Sequence, residues 1–175
     1  MNSRTEALVH LIMAIIIMLV ISIAVYYIGV KFIGQDLVTQ ANAAKAAGVP
    51  DLPKWSKSYS YIVLAMGLIA TFILFLWIAL THWILRSSGS TGQSKRWLWL
   101  FLGIILAVLC VSTEYIFMNF GVDIILNAGE KFMFAELSIP LLFFVCYCLV
   151  GYWGGSIFVT SDAYKYTPIF AGFFR

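Results

Sequence analysis

Charged residues are scarce in this chain, and no part of it has the composition of a soluble domain. Only 11% of its 175 residues are Asp, Glu, Lys or Arg, whereas a soluble domain carries about 25%. The net charge of +3 is small and spread along the chain, which argues against a nucleic-acid partner. We therefore predict a single polytopic membrane domain over residues 1–175.

Cysteine is also rare, and its spacing shows no redox motif. Cys110, Cys146 and Cys148 all fall within apolar runs, and no C-x-x-C pair occurs. Cys146 and Cys148 point about 200° apart on an α-helix, so they cannot pair with each other. We expect packing or lipid-facing roles for all three thiols, and this pattern argues against a membrane thiol oxidoreductase.

Motifs of the common catalytic and nucleotide-binding classes are missing from the sequence. It contains no H-E-x-x-H, no G-x-S-x-G and no glycine-rich phosphate loop with a lysine. No two carboxylates lie together in an apolar run, and the histidines and cysteines are not grouped as metal ligands. We predict no catalytic residues, no metal and no cofactor.

What the chain has instead is four long apolar runs, and hydrophobic residues make up 62% of it. A helix of about 20 such residues crosses the roughly 30 Å hydrocarbon layer of a bilayer. Helices are expected because each backbone group is then satisfied within its own segment, and the runs lack the alternation of barrel strands. The sequence predicts an all-α, integral membrane four-helix bundle with short loops. The predicted transmembrane helices are residues 7–31, 59–85, 97–120 and 137–160.

The distribution of Lys and Arg predicts an orientation with both termini in the cytoplasm (N-in/C-in). The short segment from Arg86 to Arg96 favours it, because this segment carries three cations and no acid. The first run is longer than the roughly 7–15 residues of a signal-peptide core, so we interpret it as a retained span. We predict a multi-pass protein of the bacterial inner (plasma) membrane.

The first outer loop contains a segment that resembles a short extramembrane helix. Residues 36–47 are rich in Ala, Leu and Gln. Gly48 is a helix-end signal, and Pro50 and Pro53 prevent the helix from continuing. We therefore predict a short helix near residues 36–47, which is either separate or an extension of the first span above the bilayer.

Glu114 is the only acid within the third apolar run, and it defines a candidate polar cluster. It lies about 26 Å along the helix from Trp97, in the outer quarter of the bilayer. An ionisable group there is costly unless it is protonated, hydrated or paired. Lys31 is its first candidate partner, and Thr113 and Asn119 add polar groups nearby. Glu114 is either a proton or cation site or a partner for a basic residue of another subunit. The simpler alternatives are a structural pair and a carboxyl close enough to the surface to stay hydrated.

The two histidines form a second candidate site. His10 and His82 lie about one turn inside the cytoplasmic ends of the first two spans. Two histidines at equal depth could ligate a haem iron or contact a quinone. The simpler alternative is that both are ordinary interfacial residues.

Small residues and an aromatic tail indicate contacts between helices or subunits. Small residues let helix backbones approach closely within a bundle or between subunits. The tail enters the headgroup layer or docks on a partner, and both alternatives stay open. The small residues are Gly151 and Gly155 on the fourth span and Gly103 and Ala107 on the third; the tail residues are Phe170, Phe173, Phe174 and Arg175.

These features favour a structural role in the membrane. We predict a non-enzymatic polytopic subunit that assembles into or braces a larger membrane complex, for example a bacterial secretion or conjugative transfer apparatus. One alternative is a small proton- or cation-coupled transporter or channel using Glu114. Another is a haem- or quinone-binding electron-transfer subunit using His10 and His82. The expected partners are the lipid bilayer and other membrane subunits, with a homo-oligomer as a further alternative.

Overall fold

Every residue that the structure describes is helical. The structure is a computed structural model, and it describes residues 3–34, 52–80, 92–121 and 133–159. Uniformly apolar sequence favours helices because each N–H and C=O then bonds within its own segment.

The described residues form four helical rods. Helix α1 is Ser3–Ile28 and continues as a π-helical turn, Gly29–Ile33. Helix α2 is Leu52–Ala79, and helix α3 is Gly92–Gly121. The fourth rod comprises α4 (Met133–Phe143), a π-helical stretch (Phe144–Gly154) and α5 (Gly155–Val159). Phe143 and Gly155 keep right-handed helical backbone angles, so the fourth rod is unbroken.

Each rod contains a stretch that is long and apolar enough to cross a bilayer, which confirms the prediction of an all-helical chain with four helices able to span a membrane. These stretches are Ala7–Ile33, Tyr59–Ala79, Arg96–Thr113 and Ser138–Ile157. Helix α2 begins before its apolar stretch, and Pro53 is its second residue. Proline suits this position because the N–H that it lacks would have no partner in the first turn.

Two finer predictions lie beyond what the structure describes. The proposed short helix over residues 36–47 falls outside the described residues. The placement of both termini in the cytoplasm stays a prediction, because no bilayer or compartment accompanies the fold.

The core lies along the axis of the bundle and receives side chains from all four rods. The rods pack in sequence order, and the fourth also contacts α1 and α2. The five largest fully buried side chains are aromatic, namely Tyr59, Trp77, Phe143, Tyr147 and Tyr152. Lipid removes most of the hydrophobic drive between helices, so close packing and interhelical hydrogen bonds must hold these rods together.

Candidate functional site

Three tyrosine hydroxyls in the core each donate to a backbone carbonyl of a neighbouring helix. The Tyr59 hydroxyl donates to the Val25 carbonyl at 3.0 Å. The Tyr152 hydroxyl donates to the Trp99 carbonyl at 3.0 Å, and that of Tyr147 donates to the Val63 carbonyl at 3.3 Å. A helical carbonyl has a second lone pair, so it accepts these bonds while keeping its own helical partner. We call these contacts the tyrosine bridges.

Tyr147 joins three rods at one point. Its hydroxyl lies 2.9 Å from the Ser22 Oγ of α1 and also donates to α2. The single phenolic proton is used on Val63, so Ser22 is the donor in the first bond. Gly67 of α2 leaves the space for this junction, because a Cβ there would overlap the Ser22 hydroxyl.

Tyr59 fits against the π-helical turn of α1. A Cβ at Gly29 would overlap the Tyr59 phenol, so only glycine allows this approach. The Tyr59 ring also packs against Tyr26 and Phe143, with centroid distances of 6.4 and 6.1 Å. A single aromatic side chain thereby connects α1, α2 and the fourth rod.

The amino end of α3 is attached to the carboxyl end of the fourth rod. The Trp99 indole Nε1 donates to the Ser156 Oγ at 3.1 Å, and Ser156 donates to the Trp153 carbonyl at 2.9 Å. Trp99 also stacks on Tyr152, with ring centroids 5.3 Å apart. Both buried polar side chains of this pair are therefore satisfied within the bundle.

Two cysteines from different rods meet in the core. The Cys110 Sγ of α3 lies 3.5 Å from the Cys148 Sγ of the fourth rod. The sequence alone did not predict this pair, because Cys110 and Cys148 are 38 residues apart along the chain. Their depth could have been predicted, because Cys110 and Cys148 each lie near the middle of a predicted span. Successive spans run antiparallel, so residues at their midpoints lie at the same level in the membrane.

Two lateral grooves open between neighbouring rods. The α1–α2 groove has a volume of about 590 Å³, and its walls include Ser22, Ser60, Gly67 and Thr71. The α2–α3 groove has a volume of about 380 Å³, and its walls include Met66 and Thr113. Both are largely apolar, with a few hydroxyl groups along their length.

The predicted polar cluster is only partly described. Thr113 is buried, donates to the Leu109 carbonyl at 2.8 Å and lies 3.5 Å from the Met66 sulfur. Lys31 is exposed, and its Nζ lies 6.0 Å from the centre of the Tyr27 ring. Glu114 belongs to α3, but its side chain and that of Asn119 lie outside the described residues. The Glu114–Lys31 pair and the transporter alternative therefore stay predictions.

The histidine site is only partly described, and the aromatic tail lies outside the described residues. His10 is half-buried on α1, whereas His82 lies outside the described residues. The described part of the chain holds no group of three or more His, Cys, Asp or Glu side chains that could bind a metal ion. The tail residues Phe170, Phe173, Phe174 and Arg175 also lie beyond the described ranges.

The predicted small residues lie at contacts within the chain. A Cβ at Gly151 would approach Met18 to 3.0 Å, and one at Gly155 would approach Leu74 to 3.3 Å. A Cβ at Gly103 would lie 3.3 Å from Tyr152, and Ala107 packs against the core. Their close contacts thus join the third and fourth rods to the rest of the bundle.

The bundle combines an interior cross-linked by hydrogen bonds between rods with two grooves that open on its sides. Hydroxyls, an indole and thiols supply the interior polar contacts described above, and these groups bond to each other or to the backbone. No known protein family, curated protein or solved structure matches the chain, so its function is argued from this geometry.

Proposed function

We propose that this protein is a non-enzymatic subunit of a larger membrane assembly, and that its α1–α2 groove receives a transmembrane helix of a partner protein. The carrying observation is the composition of the groove. Small residues from both helices line it, namely Ser22, Ser60, Gly67 and Thr71. Such residues let another helix backbone approach closely, which is how helices associate in lipid.

The rims of the groove suit a helix as occupant. Exposed apolar side chains stand along both walls, with Leu19 and Ile23 on α1 and Leu64 and Leu68 on α2. Ridges of this kind fit into the grooves of a packing helix. The groove therefore offers a small-residue floor between two apolar ridges.

Hydroxyl groups favour protein over an acyl chain as the occupant. Ser60 and Thr71 donate to carbonyls of their own helix, at 2.6 and 2.7 Å. Their oxygens keep lone pairs that can accept a hydrogen bond. An acyl chain carries no donor, whereas a helix with Ser, Thr, Asn or Gln does.

The tyrosine bridges suit the same role. They fix α1, α2 and the fourth rod to each other, so the groove between α1 and α2 is held open before a partner arrives. Preorganised surfaces lose less conformational entropy on binding. In the proposed setting the chain crosses the bacterial inner membrane four times, with both termini in the cytoplasm, and braces a machine of the secretion or conjugation kind.

A groove-filling variant tests the proposal. Thr71→Phe places a ring in the groove, whereas Val108→Phe adds the same bulk to the exposed face of α3. The parent and the control should migrate as particles well above the 19.6 kDa chain in a mild detergent, and Thr71→Phe should release the single chain. Equal thermal unfolding of the two variants checks that Thr71→Phe still folds.

Three results would contradict it. The parent could purify as a single chain, or Thr71→Phe could leave the large particle intact. The particle could also contain copies of this chain alone, which would assign the groove to a second copy. Mass spectrometry of the particle separates this last outcome from a partner protein.

A further inference from the structure

The paired thiols carry an inference that does not depend on the proposed assembly. Cys110 and Cys148 belong to different rods, and their sulfur atoms are 3.5 Å apart. Cys148 lies near the middle of its apolar stretch, Ser138–Ile157, about 15 Å along the helix from either end, and Cys110 touches it from the third rod. The pair is therefore located deep in the hydrocarbon layer, where water-soluble reagents are scarce.

The distance is short enough for a covalent bond after small side-chain rotations. A disulfide has a sulfur–sulfur length of about 2.05 Å, so the two atoms must approach by about 1.5 Å. The Trp99–Ser156 and Tyr152–Trp99 bonds already fix α3 against the fourth rod. The backbone therefore holds the two thiols near each other before any reaction.

The two thiols differ in their access to the surface. Cys110 is 0% exposed, whereas Cys148 is 8% exposed. An oxidant dissolved in the lipid thus reaches Cys148 first, and Cys110 is positioned behind it. The pair shares one feature with known redox-sensitive sites, which is a second cysteine placed to resolve an oxidised first one.

We propose that Cys110 and Cys148 form a dithiol that apolar organic hydroperoxides of the lipid phase oxidise to a disulfide. The Cys148 sulfur attacks the terminal peroxide oxygen and the O–O bond breaks. The released alkoxide takes the thiol proton and leaves as an alcohol, so that Cys148 becomes a sulfenic acid. The Cys110 sulfur then attacks the sulfenic sulfur, and hydroxide leaves with the Cys110 proton as water. Two thiols are oxidised to one disulfide while one hydroperoxide is reduced to an alcohol and water.

Cumene hydroperoxide is a suitable apolar probe, applied to the full chain in liposomes. After acid quenching and denaturation, a mass-tagged maleimide should label one thiol of the three instead of all three. Peptide mapping should find Cys110 linked to Cys148, with Cys146 labelled. A reductant added before the maleimide should restore all three labels.

Single substitutions separate the two roles and supply a matched control. Cys146→Ser should still form the disulfide, because this residue takes no part in the pair. Cys110→Ser should stop at the sulfenic acid of Cys148, which dimedone traps as a stable adduct. Cys148→Ser should leave Cys110 as a free thiol at the same dose.

The measurement on the parent protein decides the proposal, so it does not depend on the variants folding. Three labelled thiols after treatment would overturn it. So would a disulfide that involves Cys146, or loss of all three labels at one rate. Failure of these tests would leave the groove proposal untouched, since that depends on particle size and not on thiol chemistry.

Discussion

Gly67 shows how a residue without a side chain supports a junction of three rods. It lies on α2 beside the Ser22 hydroxyl of α1 and the Tyr147 hydroxyl of the fourth rod. These two hydroxyls bond to each other at 2.9 Å, and Tyr147 donates onward to α2. Interhelical hydrogen bonds in membranes contribute roughly 0.6–2 kcal/mol each, so the junction is a notable fraction of the bundle's stability.

Replacing Gly67 by alanine should break this junction. The new methyl group would overlap the Ser22 hydroxyl, so either the bond to Tyr147 or the α1–α2 approach must yield. We expect a loss of about 1–3 kcal/mol in the free energy of unfolding, typical of overpacking in a dense core. Reversible unfolding in mixed micelles would measure it.

Gly154→Ala is the matched control for this experiment. A Cβ there would meet only the Leu149 carbonyl, at 3.7 Å, which is ordinary van der Waals contact. Alanine also has the higher helix propensity, so this variant should be neutral or slightly more stable. Equal destabilisation by the two substitutions would contradict the role assigned to Gly67.

Residues of this kind were only partly predictable. Gly151 and Gly155 form a spaced pair along one helix, and that spacing marks them as packing residues. Gly67 has no second glycine four residues away, and its role depends on Ser22 and Tyr147, far away along the chain. Contacts between distant positions on uniformly apolar helices leave no local pattern from which to derive them.

The fourth rod shows why helix faces were harder to predict than helix positions. Its buried residues recur every four positions, at Ile139, Phe143, Tyr147, Gly151 and Gly155. This repeat is longer than the roughly 3.6 residues of an α-helical turn, because i→i+5 bonding widens the turns of the π-helical stretch, Phe144–Gly154. Pro140, just before that stretch, lacks the N–H that a regular helix uses. Regular α-helical geometry would place a different set of residues on the buried face, and an all-apolar stretch has no polar face that reveals the difference.

The attachment of α3 to the fourth rod can be tested by a double-mutant cycle. Trp99→Phe keeps a ring on Tyr152 but removes the indole donor, and Ser156→Ala removes its acceptor. The two losses should overlap, giving a coupling free energy of about 1 kcal/mol in unfolding experiments. Trp99 lies on α3 and Ser156 on the fourth rod, so their coupling free energy measures the contact between these two rods directly.

Ser112→Ala supplies the control cycle with Trp99→Phe. Ser112 also lies on α3, but it is exposed and donates only to the Val108 carbonyl of its own helix at 2.9 Å. Its coupling to Trp99 should be zero within error. Additive losses for Trp99 and Ser156 would mean that their contact contributes nothing to the docking of the two rods.

At the scale of the whole molecule, the number and approximate positions of the helices followed from the sequence because membrane thickness alone fixes their length. What did not follow is which side chains meet, such as Cys110 with Cys148. Length and hydropathy are properties of a single helix. Contact between two thiols depends on how two helices are rotated about their axes and how deep each one lies in the membrane. For that reason the sequence predicted only packing or lipid-facing roles for the three cysteines.

Four crossings would place both termini on the same side of the membrane, and the distribution of Lys and Arg predicts that this side is the cytoplasm. A fluorescent protein fused after Arg175 should therefore fluoresce in bacteria. Alkaline phosphatase should be active when inserted within residues 36–47 and inactive within residues 87–94.

Neutralising Arg86, Lys95 and Arg96 together should raise phosphatase activity at the second site, because these cations retain that loop in the cytoplasm. Neutralising Lys54 and Lys57 is the control and should preserve the pattern. Phosphatase activity at both sites in the parent chain would contradict the four-span topology itself, and activity at the second site alone would reverse its orientation.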